Sequence, residues 1–333
     1  MATIFVLERS KIMRFFCWVL LFVIGFIVAT QWSEIQRSLY GVKDGITLEG
    51  QHMSRLLPEE VEKIVQEMAK IYSLQPRDAG FFTETGEIIP EKPGRGVEVE
   101  ETVRRVLTAL PGEDVELVTY SIPATVGKDY FIPVFQGDPS RKEVCLCVNV
   151  AWGEEELPKM LSILDRHGVK ATFFFVGSWV EKFPDLVRRV AREGHEVANH
   201  GLYHGHPNKM SRDELKRLVL ENQRLLEEVT GKKSPKIFAP PYGEFNDHVL
   251  SVLGNLGFRT IMWTVDTIDW KRPEPGLIIK RVKEKTKPGT IILTHPTAPT
   301  VEALDRIIEF LKKEGYTFAT VSRIIRENNE NKE

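Results

Sequence analysis

The 333-residue chain reads as an α/β protein whose larger part is an irregular (β/α) barrel of about seven parallel strands, although a doubly wound open sheet fits the same pattern. Three observations predict this. Strand-like and helix-like segments alternate through residues 141–325, with candidate strands at 144–150, 170–176, 196–199, 236–238, 259–264, 290–294 and 316–320. Several of these strands, such as "ATFFFV" and "TIILTH", are near-continuous apolar runs, the pattern of parallel strands buried on both faces. Polar groups follow directly after many of them, at the end where α/β folds collect their chemistry.

The N-terminus comes first along the chain. Arg9, Lys11 and Arg14 precede an unbroken apolar run at 15–30, "FFCWVLLFVIGFIVAT". That run is long for a signal-peptide core and slightly short of the ~20 residues of a spanning helix. Val28-Ala29-Thr30 followed by Gln31-Trp32 makes a poor cleavage site, so residues 1–31 are expected to be an uncleaved signal anchor. Secretion after cleavage is the alternative. Positive charge on the short flank keeps that flank cytoplasmic and puts the rest on the extracytoplasmic face.

A small α+β domain is expected at 32–137. In "LPEEVEKIVQEMAKIY", Val61, Ile64, Val65 and Met68 share a helix face. In "VEVEETVRRVLTALPG", Val99, Val103, Val106, Leu107 and Leu110 do the same before Pro111-Gly112 ends the helix. "QGDPSRKE", 136–143, reads as the linker to the barrel. With 42% hydrophobic and 28% charged residues, 45 basic against 47 acidic and a net charge of −2, no basic domain suits a nucleic-acid partner. Cys17, Cys145 and Cys147 offer no disulfide framework, the last two lying on one strand as small buried hydrophobes.

The strand ends of 141–325 supply Ala151-Trp152-Gly153, His200 and His204, Ala239-Pro240-Pro241-Tyr242, Asp266-Thr267-Ile268-Asp269-Trp270, and Leu293-Thr294-His295. Three histidines and two acids converging at one end describe a site, where a lone histidine would describe a core. Glu154, Glu155 and Glu156 are expected to form a solvated acidic N-terminus for the next helix, with a metal-ligand role from a shortened loop as the alternative.

In this order and spacing, "HGVKATFFFVG", "NHGLYHGHP", "FAPPYG", "VDTIDW" and "ILTHPT" resemble the polysaccharide deacetylase (NodB-homology) family. The resemblance implies a distorted (β/α) barrel and metal-dependent removal of N-acetyl groups from amino-sugar polymers such as peptidoglycan. It implies His200 and His204 as ligands of a zinc-like divalent ion, His295 as general acid, and Asp266 as the carboxylate that orients and charges it. It implies the Tyr242 amide as oxyanion donor, and Trp270 and Leu293 as pocket walls. The stretch "GITLEGQHMSRLLPEEV" to "RRVLTALPG" resembles the peptidoglycan-binding domain of vancomycin-resistance-W-type proteins, which names cell-wall glycan as the partner.

The sequence departs from the family at three linked positions. Where the family writes Thr-Phe-Asp-Asp-Gly, this chain has Asn-Val-Ala-Trp-Gly, so Ala151 replaces the base and Trp152 the metal-ligating Asp. Ala239 replaces the Arg that holds that base. The pattern resembles a sporulation-linked branch of the family and implies a weak or absent metal. Two functions then stand side by side, a membrane-anchored deacetylase with an altered site and a non-catalytic glycan-binding scaffold.

Overall fold

A computed structural model describes residues 9–82 and 85–325. Helix α1, Arg9–Tyr40, contains the apolar run and extends beyond it. Over Phe16–Tyr40 it is long and apolar enough to cross a membrane, and none of that window is buried. The first eight residues of the expected anchor lie outside the described residues.

The described residues form two compact units, 9–77 with 92–123, and 78–91 with 124–325. In the first, β1 (Thr47–Leu48) pairs antiparallel with β2 (Gln51–His52) and parallel with a later strand, Asp114–Val115. Helix α2 (Pro58–Tyr72) packs on α3 (Val99–Thr108). Their buried faces, Val61, Val65 and Val106, close over Ile46, Leu48 and Met53, as the helical spacing predicts. Leu110 does not join that core: α3 ends at Thr108 and Leu110 is exposed.

The hairpin β3 (Gly80–Phe82) and β4 (Glu87–Ile89) falls within the stretch expected for the small domain yet clusters with the barrel. Phe81 and Ile88 cover Ala79, Val126 and Phe131, an apolar cluster whose members flank the first unit in sequence. Burying these side chains overrides chain order, so the division between units differs from the expected boundary at 137. Strands β5 (Gly94–Val97), β6 (Asp114–Val115) and β7 (Thr119–Ile122) return to the first unit, where β5 pairs antiparallel with β7.

The barrel strands are β8 (Glu143–Val150), β9 (Thr172–Phe175), β10 (Glu196–Asn199), β11 (Ile237–Phe238), β12 (Arg259–Thr260), β13 (Val265–Asp266), β14 (Thr290–Thr294) and β15 (Thr317–Phe318). All pairings among them are parallel, in the order β12-β11-β10-β9-β8-β14-β13, with β15 beside β8. The two edge strands of this path are consecutive in the chain, and residues 261–264 join them. A sheet whose opposite edges are so tethered must curl, which gives the distorted barrel.

Helices α4 (Leu157–Arg166), α5 (Gly177–Lys182), α6 (Pro184–Arg192), α7 (Arg212–Thr230), α8 (Asp247–Asn255), α9 (Pro275–Lys285), α10 (Ala298–Lys313) and α11 (Val321–Ile324) follow the strands. All eight residues of β8 are buried. Val144, Leu146, Val148 and Val150 face the helices, whereas Cys145 and Cys147 face the barrel interior with Phe174, Ala198 and Leu293. Both thiols are free, and burial pushes them up, so they remain protonated.

Candidate active site

Each polar group of the site is carried to the C-terminal end of the barrel by the strand before it. A cavity of about 430 Å³ there is lined by Ala151, Trp152, His200, His204, Tyr242, Asp266, Trp270, Leu293 and His295. Asn149, Gly243 and Trp263, which the sequence alone does not single out, line it as well. Ala239 contributes through its carbonyl, which accepts a hydrogen bond from His200 Nδ1–H at 2.6 Å. That bond fixes the tautomer and leaves His200 Nε2 as an acceptor.

His200 sits at the end of β10, where a buried amide cluster holds the chain. Asn222 on α7 donates to Phe175 O at 2.9 Å and to Asn199 Oδ1 at 2.8 Å, and Asn199 donates to Val219 O at 2.8 Å. Burial pulls the His200 imidazole down to about 3, with the nearby His204 adding to the effect. Burial lowers His204 too, followed by the charge of His295. Both rings are therefore neutral at pH 7. His204 meets Tyr242 edge-on at 4.4 Å, and His206, outside the cavity lining, stacks on the same ring at 4.4 Å while pairing with Glu244 at 2.9 Å.

His295 requires a correction. Its expected partner, Asp266, lines the cavity, but Asp266 Oδ1 is taken by the Ile268 amide at 2.7 Å. The carboxylate that holds His295 is Asp269: Oδ1 accepts from His295 Nδ1–H at 2.8 Å and Oδ2 from the His295 amide at 2.6 Å. The hydroxyl of Thr300 also donates to Oδ2. Asp269 is fully buried, and these donors compensate its charge. Ile268 and Arg272 flank it with φ of 54° and 50°, a left-handed strain for side-chain-bearing residues that turns Asp269 inward. Tyr242 is likewise held at φ 59°. Asp269 lies in the "VDTIDW" stretch, but sequence offers no means of choosing between two acids three residues apart.

At the first strand end, Gly153 has φ 92° and passes so close to Pro296 that a Cβ would meet its carbonyl oxygen at 2.2 Å. This tight crossing places Trp152 against His295, the rings nearly parallel at 16° and 5.5 Å apart. Glu154, Glu155 and Glu156 do not line the cavity, and Glu156 pairs with Lys159 at 3.1 Å.

Residues 136–261 match the family model for polysaccharide deacetylase, and residues 53–116 match one described as peptidoglycan-binding. The protein YlxY of Bacillus subtilis, itself uncharacterized, is 35% identical over 268 residues, covering 80% of this chain and 83% of its own. The chain belongs to the polysaccharide deacetylase family. A peptidoglycan-N-acetylglucosamine deacetylase of Bacillus cereus is 36% identical over 203 residues, 60% of this chain and 74% of that one. Among solved structures, wild-type BA3943 of Bacillus anthracis, described as a pseudoenzyme of carbohydrate esterase family 4, is 36% identical with a TM-score of 0.58. The match covers 80% of this chain and 95% of that one. A mutant of the same protein, described as having restored enzymatic activity, matches at 35% identity and TM-score 0.58, covering 80% of this chain and 98% of that one.

Polysaccharide deacetylases depend on a metal, and the residues present here can be tested against one. His200, with Nδ1–H anchored on a carbonyl, is prepared as a ligand. A catalytic zinc-like site needs three protein ligands, however, and among the described residues no group of three His, Cys, Asp or Glu is disposed to hold an ion. Trp152 and Ala151 occupy the positions where the family resemblance puts the acids. Two neutral imidazoles leave a divalent charge poorly compensated. The donor set does not fit a tightly held resident ion.

Proposed function

We propose that this chain is a membrane-anchored, wall-facing member of the polysaccharide deacetylase family that binds N-acetylated amino-sugar polymers of the peptidoglycan type, with hydrolysis reduced or lost. One observation carries the reading. Trp152 lies against His295 where an acidic pair would have to stand, so the pocket keeps its shape and its aromatic walls while lacking a base and an anionic ligand. The similarity to BA3943, described as a pseudoenzyme, supports it, and the peptidoglycan-binding match supports the wall as the setting. Helix α1 supports the anchor. The test pairs glycan binding with turnover and metal content on the full chain. Binding of peptidoglycan fragments without acetate release fits the reading. Acetate release at rates typical of the family, with one tightly bound ion per chain, would sink it.

A second reading, slow hydrolysis, has its own observation in favour. The acid half of the site, His295 held by Asp269, which in turn accepts from Thr300, is complete. Water adds to the acetamide carbonyl as His295 Nε2 takes its proton, the C–N bond breaks, and His295 returns that proton to the departing amine nitrogen, leaving acetic acid and a free amino sugar. Loss of a general base costs roughly 10²–10⁴-fold, so such turnover is slow. It should vanish in His295→Ala and survive Glu154→Gln.

A further inference from the structure

We propose that Asn149 and His200 together read the acetamido group of the bound sugar, Asn149 donating to its carbonyl oxygen and His200 Nε2 accepting from its amide N–H. This rests on the glycan-binding reading and adds what selects the ligand. Asn149 is buried, lines the cavity, and lies on β8 two residues after Cys147, on the same inward face. The protonated Cys147 thiol donates to Asn149 Oδ1 at 3.8 Å, which turns the amide NH₂ away from it. No hydrogen bond among the described residues uses Asn149 Nδ2, and it is not among the sealed, unpartnered buried atoms. Asn149 Nδ2 is therefore open to the cavity, where an acceptor on a bound molecule can take its hydrogen bond.

His200 supplies the complementary atom. With Nδ1–H committed to Ala239 O, its Nε2 is an acceptor with no protein partner among the described residues. The register sets the spacing: Asn149 pairs with Phe174 and Ala198 pairs with Phe174, so Asn149 and the His200 strand are two strands apart. At the backbone that is about 10 Å. Both residues line the one cavity, so donor and acceptor enter it from the strands on either side of β9. In a trans secondary amide the N–H and C=O also point in opposite directions. An acetamido group satisfies both atoms at once, and Leu293 offers an apolar wall for its methyl group. A free amino group has no carbonyl for Asn149.

The experiment titrates the full chain in detergent with N-acetylated chitotetraose and with its fully deacetylated counterpart, by calorimetry. The wild-type chain should prefer the acetylated tetraose. Asn149→Leu should weaken that ligand about tenfold or more while changing the deacetylated one less than about threefold. Asn149→Ala, which cannot overpack the strand end, should do the same, and thermal unfolding of both variants separates lost contacts from lost fold. Equal weakening for both ligands, no change for either, or a wild-type preference for the deacetylated tetraose overturns the pair and leaves glycan binding standing. Failure of the wild-type chain to bind either tetraose overturns both readings.

Discussion

At the scale of single residues, the proposed reading has one half of the pocket complete and the other replaced. On that reading Ala151, Trp152 and Ala239 stand where the family resemblance puts base, anionic ligand and base-holder, and such groups act as a unit. Restoring Ala151→Asp, Trp152→Asp and Ala239→Arg together should therefore raise both bound metal and acetate release, whereas each single change should do little. In the restored background, Asp269→Asn should lower kcat by about 10²-fold or more, and Asp266→Asn by much less, because only Asp269 touches His295. Equal losses would return the role to Asp266. Thr300→Val, which removes one donor from the buried Asp269, should cost about 1–3 kcal/mol in urea unfolding.

Histidine burial also sets a pH dependence. His195 is lowered to about 4 and His200 to about 3, in each case chiefly by burial. Between those values and an ordinary 6.5 the unfolded chain binds more protons than the folded one, so stability falls as pH drops below 6.5. Full protonation of His195 alone is worth on the order of 3 kcal/mol. The unfolding midpoint should decline steadily from pH 7 to pH 4, and His195→Gln should flatten that decline. A midpoint independent of pH over this range would contradict the burial of both rings.

At the scale of elements, helix α7 decides where His200 stands. Its N-terminus is closed by a capping box, with Ser211 Oγ accepting from the Glu214 amide at 3.4 Å and Glu214 accepting from the Ser211 amide at 2.8 Å. Its middle presents Asn222 and Gln223 to Asn199. Ser211→Ala should cost about 0.5–2 kcal/mol without altering ligand binding. Asn222→Leu, which strips partners from Phe175 O and Asn199 Oδ1, should cost more and weaken glycan binding too, because the turn bearing His200 loses its hold. The seven strands expected from apolar runs all form, yet the stretch 259–264 yields only Arg259–Thr260, and Val265–Asp266 pairs separately beside β14. Local pattern cannot register such a break, since it depends on which neighbour each short strand finds.

At the scale of the whole molecule, helix α1 is long and apolar enough to cross a membrane, and the proposed reading makes it the anchor of a wall-facing protein. The full chain should sediment with membranes, and a chain beginning after Tyr40 should remain in the soluble fraction. Recovery of the full chain as soluble protein with a new N-terminus near residue 31 would show instead that the apolar run is removed as a signal peptide.

Sequence by itself determined the parallel α/β sheet, the end at which chemistry collects, and the three positions, Ala151, Trp152 and Ala239, at which the chain departs from the family pattern. These follow from short-range pattern: apolar runs long enough for strands buried on both faces, and polar residues immediately after them. Tertiary structure decided the rest, beginning with closure of the sheet through the strand order. It assigned His295 to Asp269 over Asp266, because left-handed backbone at Ile268 and Arg272 turns one acid inward and leaves the other to its own turn. It moved residues 78–91 to the barrel, because Phe81 and Ile88 find their apolar partners there. It also brought Asn149 into the pocket, a residue whose meaning depends on the atoms across two strands and not on its neighbours in the chain.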